Sequence, residues 1–469
     1  MSDSTEKTEG ELISEKLTHT LKSCWETISP EEKIQVIEFS EEYKRFLDKA
    51  RTSELFTSCC VSELMKHGFT NIEELIKNTQ ASAKVYQTIK GNSLFFAIPG
   101  KQPVTKGVNI ICSHSDSPYI GLKSNPLYEN SDLAFFDTQY YGGIKYYQWT
   151  AIPLIMLGTI IDKDGVKKHI QLGCNNDEPV FTITDLLPHL AGNQMKKNAS
   201  EFIDAESLDI LIGSEPFHDK KISDKVKLNI LSILHEKYGI FEKSFAHIDI
   251  SFVPAFNARD VGFDRSMIGA YGHDDKCCAF ASLQAALQFV DSAENSNNLP
   301  EKTIVCLFID REEVRGHRPY IQYFKYFLQG LCPEGIDPYR VLSLSSVISA
   351  DVNAAFDPNY ASVYDSKNSS FLGRGIAITR SETGNFANME YSKKIQDIFD
   401  ANQIKWQYGG WGKQDKGGAG TLARDIVEYS IDTIDCGIPV LSMHSPFEVI
   451  SKLDLWMAYK SYKVFFSEV

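Results

Sequence analysis

Two segments near the start of the chain repeat their apolar positions with a helical period. Ser29-Pro30-Glu31-Glu32 reads as a capping box with proline at the first helical position, opening a helix that runs to about Ala50. A second helix is predicted over 53–67, ended by Gly68. The short apolar runs 94–98 and 108–112 then read as strands entering a buried sheet. From about Tyr119 to Pro254 the period shortens to two, as in His247-Ile248-Asp249-Ile250-Ser251-Phe252, and Asp164-Gly165 is a hairpin signal. After about Ala255 helix and strand alternate again: an amphipathic helix over 277–290, a buried strand over 303–309, a short one over 347–350 and another over 438–443.

That alternation predicts an α/β fold, a mostly parallel sheet with helices on both faces. It is interrupted by a β-rich insert, so that residues 1–118 and 255–469 form one discontinuous domain and 119–254 a second. No internal repeat or low-complexity tract is apparent.

Composition narrows the partners. With 469 residues and a formal charge of −14, the chain lacks the cationic excess that nucleic acid or an anionic membrane requires. The longest apolar stretch, 151–161, falls short of the ~18 residues of a membrane helix, and the polar start MSDSTEKTEGEL does not resemble a signal peptide. Ten cysteines without a CxxC pair read as reduced thiols, and with the absent signal they predict a cytoplasmic protein.

Candidate chemistry concentrates in five segments, four of which directly follow a predicted strand, where open parallel sheets build their sites. They are Ser113-His114-Ser115-Asp116, Gly272-His273-Asp274-Asp275-Lys276, Asp310-Arg311-Glu312-Glu313, Ser349-Ala350-Asp351 and Leu441-Ser442-Met443-His444. Each has a plainer reading as a cap or a solvated turn. A carboxylate two residues from a histidine suits a metal-bound imidazole, and adjacent glutamates suit a hydrolytic site in which one ligates and the other takes a proton from water. Together they form a donor set for two open zinc-type sites.

As a set and in this order, SHSDSP, DDK after Gly-His, EEV after a strand, SAD followed by DPNY, and GIPVLSMHSPFE resemble the aspartyl and vacuolar aminopeptidase family of dinuclear metallo-exopeptidases, over nearly the whole chain. The resemblance implies two divalent ions per subunit, zinc or alternatively cobalt or manganese. One would be held by His114, Asp274 and Asp351, and the other by Asp274, Glu313 and His444, with Asp274 bridging. Glu312 would be general base and then acid, and Asp116 would orient His114. The implied substrates are peptides with a free N-terminus. The insert would make a homodimer that assembles further, into a dodecamer, with His189 reaching a partner's site.

The chain also departs from the family pattern. Asp357 precedes Pro358-Asn359-Tyr360 where animal aspartyl enzymes carry histidine, and Thr379 stands where a lysine is associated with acidic substrates. Neutral or apolar N-terminal residues are therefore expected, as in the bacterial branch. Arg315-Gly316-His317 replaces the usual Gly-Ser after the glutamate pair. Gly418-Ala419-Gly420-Thr421-Leu422-Ala423 matches a loose dinucleotide fingerprint but follows no apolar strand, so Gly418 reads as part of a substrate-pocket loop. Two other functions fit less of the pattern: an inactive or weakened shell protein of the same fold, and a related dinuclear carboxypeptidase or deacylase.

Overall fold

The computed structural model describes residues 7–18, 22–76, 84–162, 164–291, 299–314, 320–379, 381–382, 385–386, 388–410, 412–413, 415–416, 420–427 and 431–469. The nine-stranded main sheet runs in the order Thr70–Asn71, Val85–Ile89, Ser93–Ile98, Thr303–Ile309, Val108–His114, Ser346–Ser349, Asp432–Gly437, Ile376–Thr379, Trp406–Tyr408. Its four central strands, from Thr303–Ile309 to Asp432–Gly437, are mutually parallel. Of these, Thr303–Ile309 reads as a near-continuous apolar run because helices cover both faces.

A separate seven-stranded antiparallel sheet is drawn wholly from residues between Tyr119 and Pro254. The chain enters it at Tyr119, soon after the main-sheet strand Val108–His114, and leaves it at Pro254. A third sheet, of five strands, contains Arg259–Val261, Met267–Ala270, Glu448–Ser451, Pro439–Leu441 and Asn353–Ala354.

Three sequence expectations change. The strand expected over 438–443 is Pro439–Leu441, and it belongs to this third sheet; the neighbouring main-sheet strand is Asp432–Gly437. Gly437 makes the switch possible: a Cβ there would lie 1.6 Å from the Asp351 carbonyl oxygen, so only glycine lets the chain cross. The helix expected over 277–290 is His273–Asp291, and Cys277 to Ala281 are all buried rather than one face of it. The sheet covers one side, and the helices Pro30–Lys49 and Lys452–Glu468 share its core cluster. At the start of Pro30–Lys49, the Ser29 hydroxyl accepts the Glu32 N–H at 3.1 Å as a cap should. The Glu32 carboxylate does not complete the box; it accepts from Trp456 Nε1 at 3.0 Å and Lys460 Nζ at 2.8 Å, a charged partner that wins over a backbone amide.

All ten cysteines are free, seven of them buried. No helix among the described residues is long and apolar enough to cross a membrane.

Asp260 ties three elements together. Its Oδ1 lies 2.7 Å from Lys44 Nζ and 2.8 Å from Lys452 Nζ, and its Oδ2 2.7 Å from Arg265 Nε, with Lys452 buried. Burial alone would raise the carboxyl's pKa, but hydrogen bonds from Lys44, Lys452 and Arg265 outweigh it and hold the group well below its ordinary 3.8. Asp260→Asn is expected to lower stability by about 2–4 kcal/mol in denaturant melts, since it leaves the buried Lys452 ammonium with the more distant Glu41 carboxylate, at 3.8 Å. Because the folded carboxyl is the more acidic one, its contribution is complete above the ordinary value and disappears as pH falls through the lowered one. The gap between wild type and variant should therefore narrow below about pH 4.

Candidate metal centre

The parallel strands deliver their carboxyl ends to one place. His114 closes the strand Val108–His114, Asp310 to Glu313 follow Thr303–Ile309, and Asp351 follows Ser346–Ser349. The ends are locked in register: the Ser115 N–H donates to Ile309 O at 2.8 Å and the Ala350 N–H to Cys112 O at 2.8 Å. Asp274 arrives at the mouth of the long helix, where its ψ of 110° and the cis Asp274–Asp275 peptide are not yet helical. His444 arrives from the loop after Pro439–Leu441.

Asp274 sits between the two imidazoles. Its Oδ1 is 3.0 Å from His114 Nε2, and its Oδ2 is 3.2 Å from His444 Nε2. His114 Nε2 also lies 3.7 Å from Asp351 Oδ1, and His444 Nε2 3.2 Å from Glu313 Oε2. Each histidine spends its other nitrogen on a backbone carbonyl: His114 Nδ1 on Asp116 O at 3.0 Å and His444 Nδ1 on Gly143 O at 2.7 Å. That arrangement leaves both Nε2 atoms facing the carboxylates, where they would ligate once deprotonated. Donor atoms of His114, Asp274 and Glu313 all lie within 4.8 Å of one another, as do those of His114, Asp275 and Asp351.

The charge balance fits divalent cations. Burial, followed by the Asp274 charge, pushes the Glu313 carboxyl well above its usual range, and burial does the same to Asp351. For His114 burial acts downward, but the Asp116 and Asp274 carboxylates beside it overcome that and hold the imidazole well above its ordinary value. His444 behaves likewise, burial being outweighed by Asp274 and then Glu313, and its pKa is pushed up to about 10. Asp274 itself is held low, because both imidazole contacts outweigh its burial. Glu313 Oε1 and Asp275 Oδ1 are buried with no hydrogen-bond partner. Oxygen and imidazole donors in this number, some with unspent lone pairs, are the chemistry that holds zinc-type ions.

Asp116 has contacts beyond the expected one. Its carboxylate is 3.4 Å from His114 Nδ1, and its backbone oxygen is closer, at 3.0 Å. The carboxylate also holds the glutamate pair: Oδ1 accepts the Glu312 N–H at 3.1 Å and Oδ2 the Glu313 N–H at 3.0 Å. Arg311, just before the pair, and Ser442 and His444 have positive φ (70°, 58° and 64°), a conformation uncommon for these residues and held by the surrounding contacts. The Glu312 carboxylate stands within electrostatic reach of Asp351.

Several contributors were not singled out in the sequence. Glu448, fully buried, accepts the N–H groups of Asp274 at 3.1 Å and His444 at 2.7 Å, and burial, then the Asp274 charge, pushes its pKa to about 8. Its spacing of four residues after His444 was the available signal. Asp275 accepts the His114 N–H at 3.2 Å. Lys276 is buried with its Nζ on Ser117 Oγ at 2.6 Å, and that hydroxyl donates to Asp274 O at 2.6 Å. His273 is structural: it bonds the Tyr43 hydroxyl and Ile268 O, and burial lowers its pKa to about 3.

Of the residues expected to touch substrate, two fall among the described residues. Thr379 is buried at a strand end, where its Oγ1 accepts from Asn353 Nδ2 at 3.1 Å. His189 is exposed on the seven-stranded unit, outside the cluster. Gly418 lies outside the described residues, as do Arg315, Gly316 and His317.

Because divalent ions must displace protons from the two imidazoles, adding zinc to chelator-stripped protein at neutral pH should release protons into weak buffer and raise the melting temperature. Apparent affinity should climb with pH until His444 is deprotonated near its raised value of about 10. Calorimetry in buffers of different ionisation enthalpy measures both.

Residues 46–466 match the family model described as aminopeptidase I zinc metalloprotease (M18). A probable M18 family aminopeptidase 1 of Borrelia garinii subsp. bavariensis is 41% identical over 462 residues, covering 95% of this chain and 99% of the relative. Its counterpart in Clostridium acetobutylicum is 38% identical over 465 residues, covering 95% and 97%. Among solved structures, an M18 family aminopeptidase from Thermotoga maritima superposes with a TM-score of 0.88 at 34% identity, covering 96% of this chain and all of the other. A structure of the S. cerevisiae protein described as a dodecamer shares the fold, at a TM-score of 0.72 and 21% identity over 91% of this chain and 96% of that one.

Proposed function

The chain belongs to the M18 family of aminopeptidase I zinc metalloproteases, hydrolases that act on the N-terminal residue of peptides, and from that premise we propose the division of labour at its centre. The carrying observation is the Asp274 carboxylate between two imidazoles, with the Glu312-Glu313 turn held beside it on Asp116. In this reading two ions, zinc in the first instance, are held by His114, Asp274 and Asp351 and by Asp274, Glu313 and His444. When bound they supply Lewis-acid polarisation of the scissile carbonyl and a more acidic attacking water. Glu312 takes the proton from that water and passes it to the leaving amine, so its carboxylate must be ionised first and protonated next. The hydrogen bond from its backbone N–H to the Asp116 carboxylate fixes the backbone from which its side chain extends. With Thr379 rather than a lysine at the pocket strand, neutral or apolar N-terminal residues are preferred over acidic ones.

The unit formed by 119–254 is assigned to dimerisation. Leu186, Leu187, Leu190 and Met195 are all exposed on it, an unusual density of apolar side chains for free surface. Assembly beyond the dimer, to a dodecamer, is proposed by likeness to the yeast relative, and a cytoplasmic location by the free thiols. Leu190→Glu is expected to shift the protein toward monomer in sedimentation velocity.

Turnover of aminoacyl chromogenic substrates, and not of their N-acylated forms, tests the activity against a deacylase. Glu312→Gln should retain metal by elemental analysis and lose turnover by about 10²–10⁴-fold. His444→Ala should lose one ion. Undiminished turnover in Glu312→Gln would remove the glutamate from its assigned role.

A further inference from the structure

The seven-stranded unit reaches into the centre of its own subunit. Tyr141, the last residue of the strand Leu133–Tyr141, donates its hydroxyl to Asp116 Oδ2 at 2.7 Å. The same carboxylate receives the amides of Glu312 and Glu313. The tyrosine ring is aimed by stacking on Tyr119, with centroids 4.6 Å apart and planes 16° from parallel. The strand then turns at Gly142, where φ is +77° and a Cβ would lie 3.0 Å from Pro118 Cγ. Two residues past Tyr141, the Gly143 carbonyl meets His444.

We propose that Tyr141 is a positioning residue, which fixes the Glu312-Glu313 turn by holding the plane of the Asp116 carboxylate. The inference rests on the assignment of Glu312 as the base, but its physical core is independent of it. A carboxylate with two amide donors can still pivot about its Cβ–Cγ bond; a third donor, approaching from a different element and braced by a stacked ring, removes that freedom. If Asp116 turns, the two amides lose their acceptors together, and the glutamates they carry move relative to the imidazoles. Outer partners of this kind are worth about 10–100-fold in metal centres. The tyrosine does so from a segment otherwise concerned with a different sheet, so the insert is a component of the catalytic geometry within one subunit.

Tyr141→Phe keeps the ring and its stacking on Tyr119 and removes only the hydroxyl. In metal-free protein, hydrogen exchange at the Glu312 and Glu313 amides is expected to accelerate about tenfold, with exchange in the strand Leu133–Tyr141 and the melting temperature unchanged. In the zinc-loaded enzyme kcat should fall about tenfold or more while KM stays within about twofold. Unchanged protection at both amides overturns the proposal, and so does an unchanged kcat in an active enzyme. A loss of protection spread evenly over the seven-stranded sheet also overturns it, since that marks a general anchor. Should wild-type protein cleave no aminoacyl substrate, the assignment of activity fails and the exchange measurement alone decides the role of Tyr141.

Discussion

Carboxylates do not share a dry space without counter-charge, and the centre of this protein is organised around that constraint. Asp116, Asp274, Glu313, Asp351 and Glu448 are brought together where water screens little, and Coulomb repulsion between neighbours at ~4 Å amounts to several kcal/mol even at a moderate effective dielectric. The chain supplies part of the answer. Lys276 is buried in the field of Asp116, Glu448, Asp274 and Glu313, and it donates to the Ser117 hydroxyl. The imidazoles supply another part by taking up protons. Zinc, the metal of the family, would offset the remaining charge and make those protons unnecessary, so family membership and the local electrostatics point to the same chemistry.

The scaffold serves this arrangement by dividing the work between two kinds of sheet. Parallel strands bring His114, the glutamate pair and Asp351 to one edge by simple register. His444 and Glu448 approach from the opposite side through the antiparallel pair Pro439–Leu441 and Glu448–Ser451. Glu448 then spans from the His444 amide to the Asp274 amide, so the loop carrying His444 is fastened to the backbone of Asp274. Rigidity at Asp274 comes from both directions: Glu448 holds its amide and Ser117 its carbonyl.

Much of this could be read from the sequence where side chains follow a period or sit beside a strand. His114, Asp351 and the Glu312-Glu313 pair belong to that class, as do the helices 30–49 and 53–66. Contributions that depend on backbone groups could not be read in this way. Gly143 acts through its carbonyl, and Asp116 and Glu448 act largely on amides, so nothing in residue type marks the partner. Asp275 has the look of a helix cap and serves instead as an acceptor for the His114 amide. The helix 273–291 was read as amphipathic because sequence period reports one buried face; the second is covered by Lys452–Glu468, nearly two hundred positions away. The main-sheet neighbour 432–437 was missed because its run Asp432-Thr433-Ile434-Asp435-Cys436-Gly437 carries two acidic residues and is less apolar than the 438–443 stretch that follows.

The late position of His444 and Glu448 in the chain has a consequence for synthesis. A ribosome releases the polypeptide from its beginning, and the strand Val108–His114 must wait for all of 119–254 to be made before its partner Thr303–Ile309 exists. The centre is then still without one imidazole and without the carboxylate that fastens it, and both emerge only with the final helix. Until residues 439–451 have been made, the nascent chain therefore lacks two of the side chains that meet at Asp274.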